Sequence, residues 1–161
     1  MKISTGVTVN VSANTERWLS ELRAGRCFGG TGSIASVAAQ NAHVQIFNPI
    51  ASGITVLVRN LWADPFTAST IVVTHYNTAL ANLSTTTVNL LSGGAAPVAE
   101  IRAANNAGLL GSIFFGQAFP PSLVQQVAAD WVTELGPGEG LTFALVTVNI
   151  ALEVSFQWNE V

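Results

Sequence analysis

Residues 43–62 read HVQIFNPIASGITVLVRNLW, and this stretch decides the fold class. Two apolar runs rich in β-branched residues, His43–Asn48 and Ile54–Trp62, flank a short segment that contains Pro49 and Gly53. Proline cannot donate a hydrogen bond to a sheet ladder, and glycine favours tight turns, so this segment predicts a turn between two strands. The following Asp64-Pro65 predicts the end of the second strand.

Similar β runs recur along the chain, separated by residues that favour turns. They are Val7–Val11, Thr70–Tyr76, Ser84–Leu91, Ser112–Phe115, Leu123–Val127, Leu141–Val148 and Ala151–Trp158. Turns every ~8–12 residues are typical of a sandwich or a barrel, so we predict an all-β, antiparallel sandwich over residues 28–161. The predicted core residues are Phe47, Val56, Val58, Val72, Phe143, Val146 and Phe156. Residues Leu91–Gly108 predict a long connection with a helical turn around Val98–Ala104.

Residues 1–27 predict an N-terminal arm that carries a short helix. Asn14 is suited to cap the start of this helix and Gly25 to end it, and Gly29–Gly32 predicts a hinge after it. Because a strand with exposed edges pairs readily with another sheet, we expect the arm to serve in assembly. The predicted assembly contacts are the alternating valines of the arm and the apolar face of its helix: Val7, Val9, Val11, Trp18, Leu19 and Leu22.

The composition disfavours several classes of function. Charged residues make up 9% of the chain and the net charge is −3, whereas about a quarter of a typical soluble domain is charged. Nucleic-acid binding usually needs clustered Lys and Arg, so we expect no nucleic-acid partner. No apolar run approaches the ~20 residues that span a membrane, so we expect no membrane partner either. A neutral, apolar surface favours an oligomer or a larger assembly.

Few residues are candidates for catalysis or cofactor binding. Gly30–Ala35 matches a dinucleotide-binding glycine pattern, but no strand pattern precedes it and no acidic residue follows at the required distance, which predicts a flexible loop. His43 and His75 each lie alone in a β run, which predicts strand histidines that face solvent or a neighbouring subunit. Cys27 follows Arg26, which would lower the pKa of a thiol, but no general base is evident and a small apolar role is favoured. We therefore predict no catalytic residues, no bound metal and no cofactor.

Two further groups of residues have an alternative interpretation. Asp130 and Glu134 form a carboxylate pair of the kind used in glycoside hydrolysis, although the prediction is a solvated surface pair. The aromatic residues favour core or subunit contacts, but they are also typical of a sugar-binding face. These residues are Trp18, Trp62, Trp131, Trp158 and Phe114–Phe115.

Three segments resemble small virion proteins of tailed bacteriophages. His43–Pro49, with Ser52-Gly53 and Ile54–Arg59, is similar to the QIFNP…SG…VLVR opening of these proteins. Leu135–Leu141 resembles the turn before one of their strands, and Val154–Glu160 resembles their terminal strand.

This resemblance implies a jelly-roll β-sandwich in a capsid decoration (cement) protein, with the N-terminal arm outside the similar region. It further implies a homotrimer that binds the major capsid protein on the outer surface of the virion and is assembled in the host cytoplasm. The alternative is a phage tail or fibre module that binds a host-surface glycan. An enzyme, such as a small glycosidase or a cupin-like metal protein, is the interpretation that the residues favour least.

Overall fold

The β runs pair into two antiparallel sheets in the computed structural model, which describes residues 19–84, 86–120, 125–128 and 133–161. Within these residues, a short helix formed by 19–23 precedes twelve strands. The strands are β1 (Cys27–Ile34), β2 (Asn41–Phe47), β3 (Val56–Pro65), β4 (Ser69–His75), β5 (Asn82–Leu83), β6 (Thr87–Asn89), β7 (Glu100–Asn106), β8 (Ser112–Phe119), β9 (Gln125–Ala128), β10 (Thr133–Leu135), β11 (Gly140–Leu145) and β12 (Leu152–Glu160). The predicted all-β antiparallel sandwich is confirmed.

The order of the strands is that of a jelly roll. Sheet 1 has the order β10-β3-β12-β1-β6, with β9 also paired to β3, and sheet 2 has the order β5-β7-β2-β11-β4-β8. Strands β1 to β4 alternate between the sheets, and β11 and β12 return between them, so that β12 lies between β1 and β3 while β11 lies between β2 and β4. This interleaving of early and late strands is the double Greek key of a jelly roll.

An insertion between β4 and β8 widens both sheets. Strand β7 pairs with the free side of β2, from Asn41 opposite Asn106 to Phe47 opposite Glu100. Strand β6 pairs with the free side of β1, and the two-residue β5 pairs with β7. The insertion therefore covers one edge of the jelly roll in each sheet.

The core lies between the sheets and is formed by alternate residues of the long strands. Phe28 stacks on Trp158 with ring centroids 5.9 Å apart, and Phe143 meets Phe156 edge to face at 5.5 Å. Of the predicted core residues, Val56, Val58, Phe143 and Phe156 belong to this cluster, and Phe47 and Val72 are buried outside it. The prediction for Val146 is wrong. This residue is 46% exposed, because it follows Leu145, the last residue of β11.

The short helix ends as predicted, at Gly25. This glycine has φ 72°, its N–H donates to Leu22 O at 3.0 Å, and the N–H of Arg26 donates to Glu21 O at 2.9 Å. These two hydrogen bonds form a Schellman motif, in which a left-handed glycine closes the helix. Asn14, the predicted cap at the other end, and the strand Val7–Val11 lie outside the described residues.

The predicted hinge at Gly29–Gly32 is wrong, because these glycines lie inside β1, which pairs with β12 along its whole length. A Cβ on Gly32 would lie 2.5 Å from Val44 Cγ1 and 2.7 Å from Ile101 Cγ2. Glycine at this position lets β1 approach the opposite sheet closely, which is a recognised role of glycine within strands. The flexible loop predicted for Gly30–Ala35 is wrong for the same reason.

Three other local predictions are corrected by long-range pairing. The predicted connection Leu91–Gly108 contains β7, so the segment predicted as a helical turn around Val98–Ala104 is extended from Glu100 onward. The predicted strand Ser84–Leu91 is shortened to β6, and β3 continues through Asp64-Pro65 because it pairs with β12 to that point. Leu123–Val127 overlaps β9, of which residues 125–128 are described.

Candidate functional site

The predicted assembly contacts divide into two groups. Val7, Val9, Val11 and Trp18 lie outside the described residues. Leu19 is exposed on the helix formed by 19–23, and Leu22 is half-buried. Of the described members of this set, Leu19 is therefore the one most accessible to a partner.

The short helix is attached to the edge of sheet 1. The side chain of Asn89, at the end of β6, donates to Gly25 O at 2.8 Å. The backbone N–H of Glu160 donates to Arg26 O at 3.0 Å, and Arg26 forms an ion pair with Glu21 of the helix. The helix is therefore held beside β1 and β6, and β1 begins at Cys27, the last residue assigned to the arm.

The two segments that carry most of the sequence resemblance meet at one end of the sandwich. Asn48 Nδ2 donates to Ile54 O and to Leu135 O, each at 2.9 Å. The backbone N–H of Asn48 donates to Glu139 O, and its carbonyl accepts from Gly138 N at 2.8 Å. Asn48 therefore fixes the turn after β2 against the turn before β11, so these residues act structurally. Ile50 projects from the same turn and is 79% exposed.

The two histidines are not brought together. His43 is fully buried on β2, where its Nδ1–H donates to Asn41 O at 2.9 Å, and His75 is exposed at the end of β4. Burial lowers the pKa of His43, against opposing hydrogen bonds to the backbone of Asn41 and Ala104. The prediction that this side chain faces solvent or a subunit neighbour is wrong, because no part of His43 is accessible.

Cys27 is buried at the start of β1, where Asn159 Nδ2 donates to its Sγ at 3.2 Å. Burial raises the pKa of this thiol to about 11, outweighing the lowering effects of Asn159, Arg59 and Arg26. A thiol with a raised pKa is a poor nucleophile at neutral pH, so the role predicted for this residue, that of a small apolar side chain, fits its surroundings.

The carboxylates and metal-ligating residues form no cluster in the described part of the chain. No group of three His, Cys, Asp or Glu side chains there is arranged to hold a metal ion. Glu134 is exposed on β10, and Asp130 lies outside the described residues. Likewise, none of the helices described is long and apolar enough to cross a membrane.

The described members of the predicted aromatic group do not converge on one face. Trp158 is fully buried in the core, whereas Trp62 is half-buried on β3 of sheet 1 and Phe115 is 40% exposed on β8 of sheet 2. Trp18, Trp131 and the side chain of Phe114 lie outside the description. Of the aromatic residues singled out from the sequence, Trp62 and Phe115 are the accessible ones in the described part of the chain, and they lie on different sheets, so these two do not form a joint sugar-binding platform.

A more prominent surface feature is β8, of which the sequence predicted the strand Ser112–Phe115 but not its position at a sheet edge. It is the outermost strand of sheet 2, next to β4, and two of its apolar side chains are accessible: Ile113 is 55% exposed and Phe115 40%. The sequence does carry a signal for this surface, since no residue between Arg102 and Asp130 is charged. That the uncharged stretch lies at a sheet edge follows only from the topology.

Comparison with protein-family models, with curated proteins and with solved structures finds no match to this chain.

Proposed function

We propose that this chain is a structural protein of a tailed-bacteriophage virion, a decoration (cement) protein that binds the outer capsid surface and bridges capsid subunits. The observation that carries the assembly role is the edge strand β8, eight residues long and uncharged, with Ile113 and Phe115 exposed. Soluble proteins rarely leave such an edge uncovered, because it pairs with other chains. The capsid as the partner is supported by the sequence resemblance of His43–Arg59, Leu135–Leu141 and Val154–Glu160.

The mechanism is mechanical. A homotrimer presents three copies of the same surface, so its attachments to neighbouring capsid subunits are linked and must break together. The low charge of the chain suits contacts that are covered permanently, because few charged groups need to be desolvated. The jelly roll serves as a rigid body that spaces the contact surfaces.

Two measurements test this proposal. Light scattering of the purified protein at micromolar concentration should give the mass of three chains. Capsids of the phage that encodes the chain, prepared without it, should co-sediment with the added protein and rupture at a higher temperature than bare capsids. Failure to co-sediment, or location of the protein in the tail of purified virions, would overturn the capsid assignment.

The alternative, a tail or fibre module that binds a host glycan, has one favourable observation. Trp62 is half-buried on the outer side of sheet 1, opposite Ser155, and the neighbouring Asn60 donates to Gln157 at 2.9 Å. An accessible indole beside amides and hydroxyls is a surface that sugars bind. Binding of host-surface polysaccharide that is lost in Trp62→Ala, with no binding to capsids, would favour this alternative.

A further inference from the structure

Strand β8 differs from the other outer strands of the described sandwich in its length. The other strands at the sheet edges contain two to four residues: Asn82–Leu83, Thr87–Asn89, Gln125–Ala128 and Thr133–Leu135. Strand β8 runs for eight residues, from Ser112 to Phe119, and no described strand pairs with its outer side. Among the described edge strands, β8 is therefore the one long enough to accept a full additional strand.

The strand lacks most of the features with which proteins protect such an edge. Natural edge strands are blunted by inward-pointing charges, by lysines or prolines within the strand, or by β-bulges. Strand β8 contains no charged residue and no proline, although Pro120 follows it. Its register with β4 shifts once, at a bulge opposite Val73 and Thr74, and the pairing continues on both sides of that irregularity. An edge of this kind favours the addition of an extended segment by backbone hydrogen bonds.

The chain itself contains a suitable segment. Val7–Val11 alternates apolar and polar residues with the period of a strand. Like β8, it contains no charged residue. This segment precedes the helix formed by 19–23, which the bonds of Gly25 and Arg26 hold beside β1 and β6. Strands β1 and β6 lie at one edge of the sandwich, and β8 lies at the opposite edge.

The distance between these edges favours exchange between chains. Strand β1 packs on β7 and β2, and four strand spacings of about 4.8 Å separate β7 from β8 in sheet 2. Adding the ~10 Å between the sheets gives a surface path of at least about 30 Å. The eight steps from Val11 to Leu19 span about 26–29 Å when fully extended. The segment would therefore have to be fully extended to reach β8 of its own sandwich, whereas β8 of a second copy can lie directly beside it.

We propose that Val7–Val11 of one copy adds as a further strand to the outer edge of β8 in a second copy. The donor and the acceptor lie at opposite edges of each copy, so the contact is head to tail. Head-to-tail contacts close into a ring when the rotation between copies permits it, which agrees with a trimer. The inference rests on the self-association in the proposed function and is independent of capsid binding.

The first test is the mass of full-length variants by light scattering. Ile113→Lys places a charge at the acceptor edge, and Val9→Pro removes a backbone donor from the segment that is added. Both should reduce the assembly to single chains that keep the β-type circular dichroism of the parent. Ile50→Lys, which changes a more exposed apolar residue in the turn after β2, is the matched control and should leave the mass unchanged.

The second test identifies the two partners by disulfide trapping. A chain carrying Val9→Cys is coexpressed with a differently tagged chain carrying Ile113→Cys, and oxidation should link the two tags. The inference would be overturned if the parent protein were monomeric. It would also be overturned if both Ile113→Lys and Val9→Pro kept the assembled mass of the parent. A disulfide that forms within a single chain carrying both Val9→Cys and Ile113→Cys would also overturn it. The same holds if the thiol at position 113 forms disulfides only with position 113 of another chain and none with position 9. A protein that passes these tests but does not bind capsids would overturn the proposed function alone.

Discussion

The side-chain Oε1 of Glu160 accepts a hydrogen bond of 2.8 Å from the backbone N–H of Ala99. The same carboxylate accepts from Val98 N at 2.9 Å and from Trp158 Nε1 at 3.1 Å, and it is buried. Glu160 ends β12 in sheet 1, whereas Val98 and Ala99 lead into β7 of sheet 2. One carboxylate thus joins the last strand of the jelly roll to the inserted strand of the other sheet.

We expect Glu160→Gln to destabilise the protein. The substitution keeps the size of the side chain but removes the negative charge that the donors face and replaces Oε2, which accepts from Val98 N at 3.1 Å, by a donor. Hydrogen bonds to a charged group contribute about 1.5–3 kcal/mol each, so a loss of about 2 kcal/mol in the free energy of unfolding is expected. Urea unfolding measures this change. Glu153→Gln, on the half-buried outer side of the same strand, should change it by less than about 0.5 kcal/mol, and equal effects of the two variants would contradict the assignment.

Gly32→Ala should also destabilise the sandwich, because its Cβ would overlap Val44 and Ile101 of the opposite sheet. Overpacking of this kind costs about 1–3 kcal/mol. Gly108→Ala is the control, since a Cβ there meets no atom within 4 Å. Combining Gly32→Ala with Val44→Ala should cost less than the sum of the two single changes, because the smaller side chain makes room for the new methyl group. Additive costs would show that the clash is not with Val44.

The glycines of β1 illustrate a feature that the sequence alone does not predict. A run such as Gly29–Gly32 predicts a flexible turn locally, and its true role depends on Val44 and Ile101, which lie in other strands. Strand β7 poses the same problem, because the Ala and Asn residues of Glu100–Asn106 have little β propensity and become extended through pairing with β2. By contrast, β3, β4 and β12 could be predicted, because their own alternation or β-branched content determines them.

The candidate site was predictable only in part. The uncharged stretch between Arg102 and Asp130 is visible in the sequence. The position of β8 beside β4, with no described strand on its other side, follows from strand order, which no local pattern determines. Likewise, nothing in the run that contains His43 indicates that β7 pairs beside it and that this side chain is buried.

The stability of the protein should fall as the pH falls below about 6.5, because burial lowers the pKa of His43 in the folded state. The unfolded chain, with an ordinary histidine pKa near 6.5, then binds the proton first. The free energy of unfolding is therefore level above about pH 7 and decreases by up to about 1.4 kcal/mol per pH unit through the range between the two pKa values.

Thermal unfolding between pH 8 and pH 5 measures this dependence. His43→Gln should flatten the curve above pH 5.5, even if it lowers stability throughout. His75→Gln changes an exposed histidine and should keep the slope of the parent. A parent-like slope in His43→Gln would assign the dependence to another group.

Cys27 should be inert in the folded protein. Its thiol is buried, and its pKa of about 11 leaves almost no thiolate at pH 8. A chromogenic disulfide reagent should therefore react with it only on unfolding in urea, at the rate at which the sandwich opens. Ser36→Cys adds an exposed thiol and should react at once. Rapid reaction of the parent protein would show that the start of β1 opens locally.

Phe156→Ala tests the register of β12 in the jelly roll. Phe156 is buried and meets Phe143 of the opposite sheet edge to face, so its truncation should cost about 3–5 kcal/mol. The next residue, Gln157, points to the other side of sheet 1, where it is half-buried and accepts from Asn60. Gln157→Ala should therefore cost only about 1 kcal/mol, the contribution of one hydrogen bond. Because side chains alternate between faces, a strand displaced by one residue would exchange the two costs. Urea unfolding of both variants distinguishes the two registers directly.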